Sequence, residues 1–523
     1  MSLKSTTLKT PRAMQKKLAA LSPFELKDSL ISLAADSSKA STRQMLNAGR
    51  GNPNWIATTP REAFFSLGQF ALQESRRVWE EPGLGGMPAK TGIAQRLNQY
   101  LEKHPNLPAR DFLRDMLLFG TSHFKFQPDA FIHEIVDGII GDNYPVPDRI
   151  MKHNERIVQA YLDKEMCDER PPKGQFDLFA VEGGTAAMCY IFDSLMQNGL
   201  LKKGDGIALA TPTFTPYIEI PELERYSFKV THIEADELDP QTSRHTWQYS
   251  DKEIDKLLNP KIKALFLVNP SNPPSVAVSP KIMKRIVQIV KTKRPDLIII
   301  TDDVYGTFVP GFRSIMAELP QNTIGVYSFS KYFGCTGWRL GVIAIHERNI
   351  FDAMIAKQPA AQKKKMRERY GSLTLEPDKI KFIDRMVADS RQVALNHTAG
   401  LSLPQQVQMT LFSLSALMDK SDNYKNLTQE IVQRRYRTLW RGLGMPILPD
   451  KLRAGYYCEV DLMLWAEENY GPEFAKFLKT NYEPVDLLFR LAEKTSIVLM
   501  DGGGFAGPKW SVRVSLANLD DSA

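Results

Sequence analysis

The chain has 523 residues, and its 67 Lys and Arg against 60 Asp and Glu leave a net charge of +7. An apolar content of 43% and a charged content of 24% are ordinary for globular proteins, and they exclude a disordered, collagen-like or coiled-coil chain. So small a charge over this length does not indicate nucleic-acid binding, which needs clustered basic residues. At ~150 residues per domain, the length allows two large domains or three smaller ones.

The cysteines and the hydropathy pattern exclude further classes of protein. Cys167, Cys189, Cys335 and Cys458 form no C-x-x-C pair, so we expect neither a disulfide framework nor a metal site, and a reducing cytoplasm as the location. No run reaches the ~18 apolar residues of a membrane helix, so we expect no membrane association. The basic stretch before Glu25 lacks the apolar segment of a secretory signal.

Six short apolar runs in the middle of the chain predict a parallel, doubly wound sheet. Most are apolar at successive positions, which is typical of strands covered by helices on both faces. A helical segment such as 280–291 lies between two of them, as a right-handed crossover requires. The predicted strands are 177–182, 206–211, 263–269, 297–302, 324–329 and 341–345.

The C-terminal part has a different pattern, which predicts a smaller α+β unit. Two helical stretches and three β-rich runs alternate there without the long apolar blocks of the middle of the chain. The predicted elements are helices at 426–442 and 484–494 and strands at 456–461, 496–500 and 511–516.

Ligands of such sheets bind beyond the carboxyl ends of the strands, where this sequence has polar clusters. Gly183, Gly184 and Thr185 follow the first strand and open a helix, whose free N–H groups can hold a phosphate. A simple strand-to-helix turn is the alternative. Asp302 ends a later strand, three residues before Tyr305, and an Asp there can partner a cation or cap a helix.

The most informative cluster surrounds the end of the run 324–329. Lys331 comes just past a buried strand, where desolvation and nearby cations favour a nucleophilic amine. Ser328, Ser330 and Arg339 offer hydroxyls and a guanidinium to phosphate oxygens. Together with a carboxylate and a Tyr, these groups are what pyridoxal phosphate needs from a protein.

The segment SFSKYFGCTGWRLG (328–341) closely resembles the pyridoxal-lysine motif of the class I/II aminotransferases of fold type I. The resemblance covers nearly the whole chain and is strongest over 177–341. It implies an α/β fold whose large domain has a mostly parallel seven-stranded sheet between helices, with a smaller α+β domain built from both termini. It also implies pyridoxal 5′-phosphate as the cofactor and a homodimer.

The resemblance implies a role for each matching residue. Lys331 forms the Schiff base with the cofactor, and Asp302 contacts the pyridine nitrogen. Tyr305 and Asn272, the latter in NPSNPPS, contact the ring's O3′, and Asn272 also borders the substrate. Phe214 stacks on the ring, and Arg513 in SVRVSLAN holds the substrate α-carboxylate. The phosphate is contacted by Tyr144 from the neighbouring subunit and, within the same chain, by Gly183, Gly184, Thr185, Ser328, Ser330 and Arg339.

Three departures separate the chain from ordinary aminotransferases: its length, two insertions at about 79–141 and 357–390, and an Arg, Arg50, where the family often has an acid. Together they resemble the aspartate 4-decarboxylases, also described as bifunctional with aspartate aminotransferase activity. That resemblance implies conversion of L-aspartate into L-alanine and CO2, and assembly of dimers into a large homo-oligomer, a dodecamer. The insertions are either assembly contacts or solvated surface. We expect Arg50 to contact the distal carboxylate, or else to brace a turn.

The predicted domains are an N-terminal arm with part of the small domain (1–60), a large cofactor-binding domain (61–395) and a C-terminal small domain (396–523). Two other functions stay open. One is a plain aminotransferase for dicarboxylic or aromatic amino acids. The other is a regulator that only senses pyridoxal phosphate. Such a regulator needs a DNA-binding module, and the first 60 residues are too short to hold one. We expect no nucleic-acid partner, and α-keto acids such as pyruvate as further ligands.

Overall fold

A computed structural model describes residue 18 and residues 21–40, 44–392 and 400–522. The part before the large sheet is mostly helical. Its elements are α1 Pro23–Ala40, β1 Leu46–Asn47, α2 Thr58–Val78, β2 Glu80–Glu81, β3 Leu84–Gly85, α3 Ile93–Lys103, α4 Arg110–Ser122, α5 Pro128–Ile140 and α6 Lys152–Met166.

The middle of the chain forms a seven-stranded sheet in the order β4-β10-β9-β8-β7-β5-β6. Strands β5 to β9 are parallel to their neighbours among themselves, whereas β10 lies antiparallel between β4 and β9. The elements of this part are β4 Phe176–Val181, α7 Gly184–Gln197, β5 Gly206–Thr211, α8 Pro216–Glu222, β6 Lys229–Glu234, α9 Asp251–Asp255, β7 Ile262–Val268, α10 Pro280–Thr292, β8 Ile298–Asp302, α11 Ile315–Glu318, β9 Thr323–Ser328 and β10 Gly341–His346.

The last part contains helices that cover the sheet and then a smaller α+β unit. Strands β11, β14 and β13 form an antiparallel sheet, and β1 pairs parallel with β12. The elements are α12 Ile350–Ala356, α13 Ala360–Tyr370, α14 Phe382–Ser390, α15 Leu403–Met418, α16 Asn423–Gly442, β11 Tyr457–Asp461, α17 Leu462–Tyr470, α18 Pro472–Asn481, α19 Pro484–Thr495, β12 Ile497–Val498, β13 Met500–Asp501 and β14 Ser511–Ser515.

The predicted fold class is confirmed. The sheet is mostly parallel, and both chain ends build the smaller unit, since Leu26 of α1 shares an apolar core with Leu488 of α19. The strand β6 was not predicted, because it is an edge strand with mostly exposed or half-buried residues and so lacks a continuous apolar run. The domain boundaries stay predictions, and the one at 395 lies outside the described residues, as does the basic stretch before residue 18.

The sheet is covered on both faces because neighbouring residues of a strand point in opposite directions. Leu178 and Val342 pack in one apolar core, whereas Phe179 and Ile343 pack in another. Helix α6 contributes to the first core, and α7 contributes to the second. Over the part of the chain that the structure describes, we find no helix with the length and apolarity needed to cross a bilayer.

Both predicted insertions carry buried apolar side chains. In the first, α3 to α5 pack with α2 and α15 around a core that includes Leu97, Phe131 and Val407. In the second, Tyr370 of α13 and Phe382 of α14 join the core over one face of the sheet. The inserted segments are therefore integral to the fold rather than plain solvated surface.

The core of the first insertion predicts a stability effect at Leu97. This side chain is fully buried, so Leu97→Ala leaves a cavity and is expected to lower the free energy of unfolding by about 2–5 kcal/mol. Gln99→Ala on the exposed face of the same helix is the control and should change it by less than about 0.5 kcal/mol. Urea unfolding measures both, and equal values for the two variants would show that α3 does not share the core.

Candidate active site

A cavity of about 230 Å³ lies beyond the carboxyl ends of the parallel strands. Parallel sheets bind ligands at this edge because the loops that follow neighbouring strands meet there. The smaller unit closes the opposite side with residues of β11 and β14. Eleven of the predicted site residues line the cavity: Gly184, Thr185, Phe214, Asn272, Asp302, Tyr305, Ser328, Ser330, Lys331, Arg339 and Arg513.

Lys331 extends into the cavity from the turn that follows β9. Its Nζ donates to the backbone carbonyl of Gly51 at 2.9 Å, so a neutral group of the N-terminal loop holds the amine. Gly51 also lines the cavity, and a side chain at this position would press on the lysine. The absence of a side chain at residue 51 therefore keeps the amine accessible from the cavity.

Asp302 is the last residue of β8 and is buried beneath the cavity. Its Oδ2 accepts the hydroxyl hydrogen of Tyr217 at 2.5 Å, and its Oδ1 accepts from the N–H of Val304 at 3.2 Å. Burial raises the pKa of the Asp302 carboxyl, while these two hydrogen bonds and the positive Lys331 oppose that rise. The group can therefore accept a hydrogen bond from, or neutralise, a cationic atom in the cavity.

Arg513 is the most deeply buried cation of the site, with only 2% of its surface exposed. Its hydrogen bonds go to neutral groups: Nη2 donates to the Gly49 carbonyl at 2.9 Å, and Nη1 donates to Asn272 Oδ1 at 3.4 Å. Among the described residues its Nε has no partner. A buried charge held only by neutral groups is costly. Arg513 is therefore arranged to receive an anion from the cavity.

A second anion site lies where α7 begins. Arg339 is held by the carbonyls of Thr336 and Glu182, at 2.9 and 3.3 Å, and faces Gly183. A Cβ on Gly183 would collide with the guanidinium, and the φ of +89° at this residue favours glycine. Gly184 and Thr185, the first residues of the helix, line the cavity, and the helix dipole favours an anion there. Arg339 and this helix start together suit a phosphate.

Several residues of the site were not predicted from the sequence. Tyr217 lies three residues after Phe214, within the same TPTFTPY segment, so that motif carried a signal for it. Phe24 of α1 packs edge-on against the Phe214 ring, with centroids 5.8 Å apart. Gly51 and Tyr457 also line the cavity, and no local motif points to either.

Three predicted site residues do not line the cavity of the single chain. Gly183 lies behind Arg339, as described above. Tyr144 is 65% exposed, and its predicted role is in the neighbouring subunit. Arg50 is exposed on the loop that carries Gly51. The roles of these residues stay predictions.

The charges of the cavity define the kind of ligand that fits. Lys331, Arg339 and Arg513 contribute three cations, and Asp302 contributes one carboxylate. The positive excess favours an occupant with several negative charges. Arg339 lies against Gly183 at the start of α7 and Arg513 lies on β14, so the cavity suits a phosphate at the first and a carboxylate at the second.

Comparison with known proteins relates this site to a family. Residues 179–523 match the family model described as aminotransferase class I and II. The chain is 51% identical over 506 residues to a Pseudomonas sp. protein described as a bifunctional aspartate aminotransferase and L-aspartate beta-decarboxylase. That match covers 96% of this chain and 94% of the Pseudomonas protein.

Solved structures have the same fold. An aspartate aminotransferase variant of Thermus thermophilus, complexed with tryptophan, has a TM-score of 0.56 at 16% identity and matches 98% of this chain and 96% of its own. The N-succinyldiaminopimelate aminotransferase of Mycobacterium tuberculosis has a TM-score of 0.57 at 15% identity, over 99% and 97% of the two chains. The family match over two thirds of the sequence, the extended identity to the Pseudomonas protein and the shared fold agree, and the chain belongs to the class I and II aminotransferases.

Proposed function

We propose that this enzyme uses pyridoxal 5′-phosphate to convert L-aspartate into L-alanine and CO2, with aspartate aminotransferase as a side activity. The observation that carries the proposal is the buried Arg513, whose hydrogen bonds within the described residues go to the neutral groups of Gly49, Asn272 and Met500, in a cavity that also contains Lys331. The name of the Pseudomonas relative supports the substrate and both activities. When bound, the cofactor supplies an electron-withdrawing ring that stabilises the electron pair of a bond broken next to the amine carbon.

The residues of the cavity fit this cofactor in charge and shape. Lys331 would bind it covalently, and Asp302 would hold its ring nitrogen. Tyr305 and Asn272 would contact O3′, and Phe214 would cover one face of the ring. The phosphate would be held by Gly183, Gly184, Thr185, Ser328, Ser330, Arg339 and Tyr144 of the neighbouring subunit.

Three residues act on the substrate: Arg513 and Arg50 bind its two carboxylates, and Lys331 removes a proton. Arg513 holds the α-carboxylate through a charge-assisted hydrogen bond, which satisfies its free Nε. The amine of Lys331 then removes the proton from Cα as the general base. Arg50 holds the distal carboxylate but does not over-stabilise it, because very tight binding of a charge that disappears as CO2 forms would raise the barrier.

Exclusion of water decides between the two activities. Hydrolysis at the substrate nitrogen completes transamination, whereas decarboxylation requires that water stay away from that bond. Phe24 and Phe214, whose rings pack edge-on, line the cavity with apolar surface. The N-terminal helix thus favours decarboxylation by keeping the site dry.

The assembly is inferred from the resemblance to the aspartate 4-decarboxylases, and the location from the cysteines. We infer a homodimer that builds a larger homo-oligomer, a dodecamer in the resembling family, located in the cytoplasm. The exposed side chains of Phe65, Tyr144 and Val146 in the single chain are consistent with contacts to further copies. Cys167, Cys189, Cys335 and Cys458 are all free thiols, as expected in a reducing compartment.

The first test follows the products of pure L-aspartate without added keto acid. We expect catalytic release of CO2 with an equivalent of alanine, a small amount of oxaloacetate, and no turnover in Lys331→Ala. Pyruvate should restore activity that is lost with time, because it accepts the amine left by the side reaction. Alanine, CO2 and oxaloacetate are measured together. Oxaloacetate alone, in one equivalent per site, would identify a plain aminotransferase instead.

The second test concerns the phosphate site. Gly183→Ala places a Cβ against Arg339, so the affinity for pyridoxal phosphate should fall at least about tenfold, or ~1.4 kcal/mol. Titration of the cofactor-free protein by absorbance measures this. Gly442→Ala, where an added Cβ meets no atom within 4 Å, is the control. Equal affinities for the two variants would contradict the placement of the phosphate.

The third test concerns the distal carboxylate. Arg50→Ala should raise the KM for aspartate at least about tenfold, since one charge-assisted contact is lost. The half-reaction with L-alanine, which has no distal carboxylate, is the internal control and should be unchanged. If decarboxylation and transamination of aspartate both survive at wild-type KM and kcat, the assignment of Arg50 is wrong.

A further inference from the structure

Tyr457 reaches the cavity from β11, and none of the steps above uses it. Its side chain is buried, with 2% of its surface exposed, and it lines the cavity beside Lys331. A Cβ placed on Gly51 would lie 2.9 Å from the Tyr457 hydroxyl and 3.1 Å from Lys331 Nζ. The hydroxyl and the amine therefore face the same point at the cavity wall.

Two cations and two further tyrosines lie around Tyr457. The guanidinium of Arg513 lies 4.4 Å from the centre of its ring. The rings of Tyr305 and Tyr456 pack against the Tyr457 ring, with centroids 5.6 and 5.0 Å away. The Lys331 amine lies near the Tyr457 hydroxyl, since a Cβ on Gly51 would contact both groups. The phenol thus lies between the amine that reaches Cα and the cation that receives the α-carboxylate.

This environment makes Tyr457 unlike its neighbours as an acid. Burial alone would raise its pKa, but the charges of Lys331 and Arg513, with a smaller contribution from the Tyr305 hydroxyl, outweigh burial and lower the pKa of Tyr457 below the ordinary tyrosine value. By contrast, burial raises the pKa of Tyr305 and of Tyr456 well above that value. Among these three tyrosines, Tyr457 is the one that gives up its proton most readily.

We propose that Tyr457 is the catalytic acid that protonates the substrate Cβ when the β-carboxylate leaves. This inference rests on the proposed decarboxylase function. A substrate held by Arg513 at its α-carboxylate and reached by Lys331 at Cα has its Cβ one bond from Cα. Tyr457 borders both of these groups, so its hydroxyl is within reach of that carbon.

Protons and electrons balance in the proposed step. The bond between Cβ and the carboxylate breaks, CO2 leaves, and the electron pair stays with the substrate. That pair forms a C–H bond at Cβ with the Tyr457 proton, and the O–H bond breaks to leave a phenolate between Lys331 and Arg513. The phenolate takes a proton from solvent when the product leaves. Each turnover consumes one proton, and nothing is oxidised or reduced.

The first experiment uses Tyr457→Phe in the complete enzyme with L-aspartate. General acid catalysis contributes about 10²–10⁴-fold, so CO2 release should fall by that factor, while single-turnover formation of oxaloacetate changes by less than about threefold. Tyr424→Phe is the matched control, because its hydroxyl donates to the Tyr332 carbonyl and does not line the cavity. Both rates should be unchanged in this control.

The second experiment does not depend on activity. The absorbance of ionised tyrosine is titrated in the cofactor-free protein. The difference between the titration curves of the wild type and of Tyr457→Phe should show one tyrosine that ionises at a pH below the ordinary tyrosine range. Lys331→Ala should move this ionisation to higher pH, because the cation that stabilises the phenolate is gone. If Tyr457→Phe does not fold, the titration curves of the wild type and of Lys331→Ala are compared instead, and the same shift to higher pH is measured.

The outcomes separate the two proposals. A wild-type protein that releases no CO2 from aspartate overturns the proposed function and this inference with it. If the wild-type protein does release CO2, any one of three results overturns this inference and leaves the proposed function intact. The first result is CO2 release by Tyr457→Phe at the wild-type rate, and the second is an equal fall of both activities in that variant. The third is that no tyrosine of the cofactor-free protein ionises below the ordinary tyrosine range.

Discussion

Three cations share one cavity with a single carboxylate, and the rest of the site is arranged around this excess of positive charge. Lys331, Arg339 and Arg513 line a cavity whose carboxylate is Asp302, and Arg513 is buried against neutral groups. Bringing such charges together is unfavourable until anions join them. The fold bears this cost with backbone carbonyls, each placed by a strand end or a loop. A ligand with a phosphate and carboxylates relieves the cost, so binding also stabilises the folded protein.

This excess of positive charge ties the two structural units to each other. The large sheet supplies Lys331 and Asp302, whereas the smaller unit supplies Arg513 from β14 and Tyr457 from β11. The N-terminal loop connects them, because the Gly51 carbonyl accepts from Lys331 and the Gly49 carbonyl accepts from Arg513. The pairing of β1 with β12 fixes this loop to the C-terminal part of the chain. Substrate recognition therefore depends on the packing of both chain ends.

Much of the fold could be predicted because buried parallel strands leave long apolar runs in a sequence. Six of the seven strands lie where those runs predict them, with ends shifted by about one residue. The exception is β6, whose edge position leaves it half-exposed and without an apolar run. The antiparallel direction of β10 could not be predicted either, since its residues are buried on both faces like those of the parallel strands.

For the site, the chemical groups could be predicted, because the motifs around Lys331, Asp302 and Arg339 are local. Which distant side chains meet depends on the folded chain. It set Tyr457 between Lys331 and Arg513, and it turned Gly51 rather than its neighbour Arg50 toward the cavity of the single chain. The physical reason is that contacts across hundreds of residues, and the direction in which a loop residue points, depend on packing that no local pattern encodes.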